Sequence, residues 1–126
     1  MKNIVVSIPN TLLSGGLTIY LQREPEFSVF QEDRLEQLLG TCVAVQADVL
    51  LVEVRHYFPY TIGNWLTRCN EIKEKRPCCR IAFIVDENSS PEVAREVRQA
   101  RSQGLIDVFF YGTVSGEYLT AVLGSL

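Results

Sequence analysis

The chain has 126 residues and a mass of 14.2 kDa, the size of one ordinary domain. Apolar residues make up 47% and charged residues 21%, which excludes a disordered or low-complexity chain and supports a core without a metal or disulfide staple. A net charge of −3 and a pI near 5.2 exclude non-specific nucleic-acid binding by this segment alone, because phosphate contacts need a basic surface; an attached domain could still bind DNA.

The first element is Asn3–Ile8 (NIVVSI), a short run of branched apolar residues that reads as a strand. Helical spacing follows, with Leu13, Gly16, Leu17, Tyr20 and Leu21 on one face. Phe27–Gln31 (FSVFQ) alternates more weakly and suits an edge strand. A second helix carries Leu35, Leu38, Leu39, Cys42 and Val43, and Ala47–Val54 (ADVLLVEV) is the third strand. Ile62, Trp65, Leu66, Cys69 and Ile72 mark a third helix that ends before Pro77, and Arg80–Asp86 (RIAFIVD) is the fourth strand. The fourth helix has clear punctuation: Ser89 or Ser90 as cap, Pro91 in the first turn, Gly104 as the stop, and an inner stripe of Val93, Val97 and Ala100. Ile106–Tyr111 (IDVFFY) is the last strand, and a final helix from about Ser115 carries Tyr118, Leu119, Val122 and Leu123.

Strand and helix thus alternate five times, with no internal repeat or linker. Nearly continuous apolar strands imply a parallel sheet covered on both faces. Right-handed crossovers then favour a three-layer, doubly wound α/β fold, and the weak second strand suits the flavodoxin-like order 2-1-3-4-5. Residues 1–126 are expected to form a single domain. With Gly124-Ser125-Leu126 at the end of the last helix, the chain is either the N-terminal part of a longer protein or a short complete one.

Cys78 and Cys79 are adjacent, no CxxC occurs, and His56 is the only histidine, so no zinc spacing exists. Cys42 and Cys69 fall on apolar helical stripes, where free cysteine acts as a small core hydrophobe. A reduced, cytoplasmic setting is expected. The first apolar run is too short for a signal peptide, and no stretch reaches the roughly 18 apolar residues of a membrane span.

In doubly wound sheets ligands bind outside the carboxyl ends of the strands. Here those ends read Ser7-Ile8-Pro9-Asn10-Thr11, Glu53-Val54-Arg55-His56, Asp86-Glu87-Asn88-Ser89-Ser90 and Tyr111-Gly112-Thr113. Asp86 and Glu87 read as loop carboxylates without a third metal ligand, and His56 as a loop side chain with no paired nucleophile.

The segment Asp48–Val54 (DVLLVEV) is similar to the PDLVLLDI-like strand of the CheY-like receiver domains of bacterial two-component response regulators. Gly104–Tyr111 (GLIDVFFY) is similar to their GA-x-DYLxKP segment, and the strand–helix alternation extends the resemblance over essentially the whole chain. Against that family, Ser7 and Ile8 stand where an acidic pair binds Mg²⁺, and Glu53 stands where an aspartate accepts the phosphoryl group. Tyr111 and Gly112 replace the lysine and proline at the last strand, and the hydroxyl residue of the fourth strand aligns near Val85 or Asp86. Phosphoryl transfer needs a divalent ion and a cation, and neither set of residues is recognisable.

The resemblance therefore implies a degenerate pseudo-receiver without catalytic residue, metal or cofactor. Its expected role is regulation through protein contacts in bacterial signalling or transcription, not enzymatic. In the family the fourth helix, fifth strand and fifth helix meet partners, which implies a protein partner or weak homodimer at Arg95, Arg98, Arg101, Glu117 and Tyr118. Glu53 reads either as a solvated strand-end carboxylate or as a fixed charge imitating a phosphoryl group, held by the Tyr111 hydroxyl.

Two alternatives share the scaffold. One is a flavodoxin-like cofactor-binding domain or small enzyme, for which Ser7, Asn10, Thr11 and Ser14 supply a hydroxyl-bearing loop that Leu12 and Leu13 interrupt. Gly15 and Gly16 read there as residues permitting close helix–sheet packing. The other is a regulatory domain of an ATPase that positions pili or plasmids.

Overall fold

The computed structural model describes residues 1–86, 88 and 90–126. Among them, five strands, β1 (Lys2–Ser7), β2 (Phe27–Gln31), β3 (Val49–Glu53), β4 (Arg80–Val85) and β5 (Val108–Tyr111), alternate with five helices. The helices are α1 (Thr11–Gln22), α2 (Leu35–Ala44), α3 (Ile62–Lys75), α4 (Pro91–Ser102) and α5 (Gly116–Ser125). Every strand pairing is parallel and the order is β2-β1-β3-β4-β5, the doubly wound α/β arrangement expected from the apolar runs. The expected strands are trimmed by a residue or two: Ile8, Ala47, Asp48, Val54, Asp86, Ile106 and Asp107 lie just outside the elements.

Side chains of the central strands alternate between two cores, as the two-residue period of a strand requires. Val5, Leu50, Val52, Ile81 and Phe83 pack with Leu38, Cys42, Trp65, Cys69, Ile72 and Val97 from α2, α3 and α4. Ile4, Val6, Val49, Leu51, Ala82 and Ile84 pack with Leu21, Leu119 and Leu123 from α1 and α5. Cys42 and Cys69 are core residues as read from their stripes, joined by buried Cys79, whereas Cys78 is exposed; all four thiols are free.

Three helical faces differ from the periodicity. On α1, Leu13 and Gly16 point outward; the buried positions are Ser14, Thr18 and Leu21, with Leu17 and Tyr20 half-buried. Local hydrogen bonds make the polar burial tolerable: Thr18 Oγ1 donates to the Ser14 carbonyl at 2.8 Å, and Ser14 Oγ accepts from Gln31 Nε2 at 2.7 Å. On α2, Val43 is exposed. On α4, Val97 and Ala100 are buried as expected, but in the first turn Ala94 is buried and Val93 only half-buried. Gly15 and Gly16 do not serve close packing, because a Cβ at either position meets nothing within 4 Å.

The ends of α4 follow its punctuation in part. Ser90 occupies the cap position but makes no side-chain cap hydrogen bond, and Ser89 lies outside the described residues. Gly104, at φ +76°, stops the helix as expected, with Leu105 N–H donating back to the Ala100 carbonyl at 2.9 Å. No helix among the described residues is long and apolar enough to cross a membrane.

Candidate functional site

Parallel pairing aligns the carboxyl ends of the strands, with Ser7 beside Val52, Glu53 beside Ile84 and Val85 beside Tyr111. The edge is therefore the place where the singled-out residues meet. Ser7 and Ile8 are 2% and 1% exposed, and Ile8 packs into the core beneath α1 and α5. A buried hydroxyl and an apolar side chain thus occupy the end of β1. Asn10 is committed to capping α1, its Oδ1 accepting from Leu12 N–H at 3.1 Å and Leu13 N–H at 3.2 Å. Ser14, too, is engaged within the chain, by Gln31, so two of the four polar residues considered for a cofactor, Asn10 and Ser14, make hydrogen bonds to the chain itself.

Glu53 is buried, at 7% exposure, and is not the solvated carboxylate of the simpler sequence reading. Arg55 Nη2 lies 2.9 Å from Glu53 Oε1. The contact joins the two charges without an aligned hydrogen bond: Oε1 and Arg55 Nε are both buried and neither has a hydrogen-bond partner. Backbone contacts fix both residues, since the Glu53 carbonyl accepts from Trp65 Nε1 at 3.1 Å and Arg55 N–H donates to the Tyr60 carbonyl at 2.8 Å. The pair lines a cleft of about 440 Å³ together with Asn10, Leu13, Asp86 and Thr113, a volume within the range of small-ligand sites.

Arg55 is the residue that motif reading missed. A cation does stand at the end of β3, supplied by the loop after the strand and not by β5. The signal was present in the spacing: residues two apart at the end of an extended segment point to the same side.

Tyr111 does not hold Glu53. Its hydroxyl accepts from Arg98 Nη1 at 3.1 Å, and its ring stacks edge-on against Phe109 with centroids 5.5 Å apart. Side chains alternate along β5, so buried Phe110 enters the α1–α5 core while Tyr111 and Phe109 face α4. Asp86 Oδ1 accepts from Asn88 N–H at 3.0 Å, and Glu87 lies outside the described residues. His56 is exposed and packs edge-on against Tyr57. Among the described residues no group of three His, Cys, Asp or Glu side chains could hold a metal ion.

Arg95, Arg98 and Arg101 are exposed on α4, and Glu117 and Tyr118 are exposed on α5. Tyr118, placed on the inner stripe by its spacing, is 61% exposed, with its ring edge-to-face with that of Phe110 at 6.3 Å between centroids.

No protein-family model matches the sequence, and no curated protein matches it. Solved structures do. A CheY-like response regulator receiver domain protein from Methanospirillum hungatei superposes with a TM-score of 0.77 over 99% of this chain and 92% of that one, at 14% identity. The chain has the receiver fold. The receiver fold also gives a TM-score of 0.78 with a streptococcal redox sensor from a family evolved from two-component response regulators, at 17% identity over 99% of this chain. This chain spans half the length of that sensor, 50%. A protein from Burkholderia pseudomallei described as pilus assembly-related superposes with a TM-score of 0.72 at 13% identity, covering 99% of this chain and 88% of its own. At these identities the likeness is one of fold.

Proposed function

We propose that the chain is a phosphorylation-independent, receiver-like regulatory domain acting through protein contacts in bacterial signalling or transcription regulation. The observation that carries this reading is the pairing of buried Glu53 with Arg55, with neutral, buried Ser7 and Ile8 where a receiver would hold its acidic pair. Transfer of a phosphoryl group depends on metal ions neutralising the developing charge and on an accessible, in-line acceptor. Glu53 already meets an arginine, and burial limits approach to it. In this reading the domain works in the cytoplasm without a cofactor, and it neither catalyses a reaction nor contacts nucleic acid or membrane itself.

The proposed contact surface is the face of α4, β5 and α5, with Arg95, Arg98 and Arg101 set against Glu117 and Tyr118. Opposite charges on one face suit a protein partner or a weak homodimer. Exposed ion pairs contribute about 0–1 kcal/mol each, so apolar area such as the Tyr118 ring supplies most of the affinity. Incubation with acetyl phosphate and Mg²⁺ tests the first half: intact mass is expected to stay constant, and stable incorporation of phosphate that disappears in Glu53→Gln overturns it. For the surface, Arg98→Glu and Tyr118→Ala should weaken partner binding.

The pilus assembly-related neighbour supports a second reading, a regulatory domain of an ATPase that positions pili or plasmids. A Walker sequence in the same open reading frame would favour it over a helix-turn-helix output.

A further inference from the structure

α1 differs from an ordinary surface helix in carrying apolar residues on both sides, with Leu17 and Leu21 toward its own core and Leu12 and Ile19 away from it. Its inward positions include Ser14 and Thr18, while Leu12 is 87% and Ile19 is 63% exposed. Thr11–Gln22 (TLLSGGLTIYLQ) contains no charged residue. A helix that is apolar on the side away from its own core has a second side to cover. Single exposed leucines are ordinary on protein surfaces, but the residues between these two are not. Gly15 and Gly16 sit in mid-helix, where glycine weakens the helix relative to alanine. Nothing among the described residues requires them: a Cβ at either position has open space around it, and neither has a positive φ.

The order of these residues identifies what covers them. Leu12, Gly15, Gly16 and Ile19 read the same in type from either end, large–small–small–large, with their midpoint between the two glycines. A two-fold axis through that midpoint sets a second α1 antiparallel to the first. It opposes Leu12 to Ile19 of the other copy twice over, as an isologous interface requires, and places glycine against glycine so that the backbones approach closely. Charge permits the pairing as well. Arg23 is the first charged residue beyond the helix, and at 1.5 Å per residue the two copies of Arg23 lie about 22 Å apart, beyond the roughly 8–10 Å over which salt leaves charges interacting.

We infer that α1 is a self-association surface, through which two copies of this chain pair antiparallel about an axis between Gly15 and Gly16. The inference is independent of the α4–β5–α5 surface proposed above. One helix pair buries less than a standard interface, so the dimer is weak and concentration-dependent.

Sedimentation equilibrium of the 126-residue chain over a wide micromolar range tests it. The wild type should show a monomer–dimer equilibrium, and Arg98→Glu should leave it unchanged. Leu12→Lys with Ile19→Lys brings like charges together and should weaken association at least about tenfold. Leu12→Glu with Ile19→Lys places opposite charges at each contact and should retain association. Gly15→Ala with Gly16→Ala should raise the melting temperature of the monomer yet weaken the dimer, a combination that a purely internal role for the glycines does not produce. A wild type that stays monomeric throughout overturns the inference. Loss of association in both charged double variants, retention in both, or sensitivity to Arg98→Glu alone overturns it equally.

Discussion

Glu53 and Arg55, two residues apart, place a carboxylate and a guanidinium 2.9 Å from each other at the end of the central strand, with Glu53 buried and the Arg55 side chain one-third exposed (33%). The asymmetry in burial makes the two residues unequal. Removing the arginine leaves a buried negative charge uncompensated; removing the carboxylate charge leaves an arginine that reaches water. Arg55→Ala should therefore cost about 1–2 kcal/mol, well below the 3–5 kcal/mol of a fully buried pair because solvent screens the exposed partner. Glu53→Gln should cost less than Arg55→Ala. Urea unfolding at neutral pH checks the order of the two.

The hydrogen bond from Arg98 Nη1 to Tyr111 Oη gives a second expectation. Tyr111→Phe removes the acceptor at an exposed contact, so stability should change by no more than about 0.5 kcal/mol. Amide NMR shifts should move along α4 and β5, with the resonances of Glu53 and Arg55 unmoved. A fixed-charge switch running from Glu53 through Tyr111 would require both sets to move together.

Asp107 ties β4 to its surroundings. Its Oδ2 accepts from Ile81 N–H at 2.7 Å and from Lys73 Nζ at 3.3 Å, and its Oδ1 meets Arg80 Nη1 at 3.4 Å. Burial opposes ionisation, yet the Ile81 N–H, Lys73 and Arg80 outweigh it and hold the carboxyl below its usual value. A depressed folded-state pKa contributes stability that is fully present above the unfolded value of about 4 and lost as pH falls through the folded one. Asp107→Asn should destabilise the protein by about 1–2 kcal/mol at neutral pH. The difference from wild type should shrink steadily below about pH 4, as measured by denaturant midpoints across the acidic range.

The thiols should divide by burial. Burial, reinforced by neighbouring groups, pushes Cys42 up to about 12 and raises Cys69 further. Burial also raises Cys79, to about 11, against the lowering effect of Lys73 and Arg76. All three are protonated and enclosed at neutral pH, whereas Cys78 is exposed. Mass spectrometry after brief iodoacetamide treatment should find native protein modified at Cys78 alone, with the other three reacting after denaturation.

Much of this molecule is legible in the chain because the relevant signals are local. Apolar runs such as Val49–Glu53 and Ile81–Val85 announce buried parallel strands without any knowledge of their neighbours, and Gly104 announces the end of α4 because only its backbone takes φ +76° at little cost. Alternation and the right-handed crossover then leave few topologies, and strand ends place Ser7, Glu53 and Tyr111 on one edge. Three-dimensional packing decided the rest. α1 carries apolar residues around most of its circumference, so periodicity alone could not orient it; contact with β2 and the Ser14–Gln31 hydrogen bond turned Ser14 and Thr18 inward and left Leu12 and Ile19 outside. The partner of Tyr111 was likewise settled by which side chain α4 delivers. Arg55 follows Glu53 by two residues, so that contact is local and its spacing was in the sequence; Arg98 reaches Tyr111 only because α4 packs over β5, a relation of distance that no single segment of sequence contains.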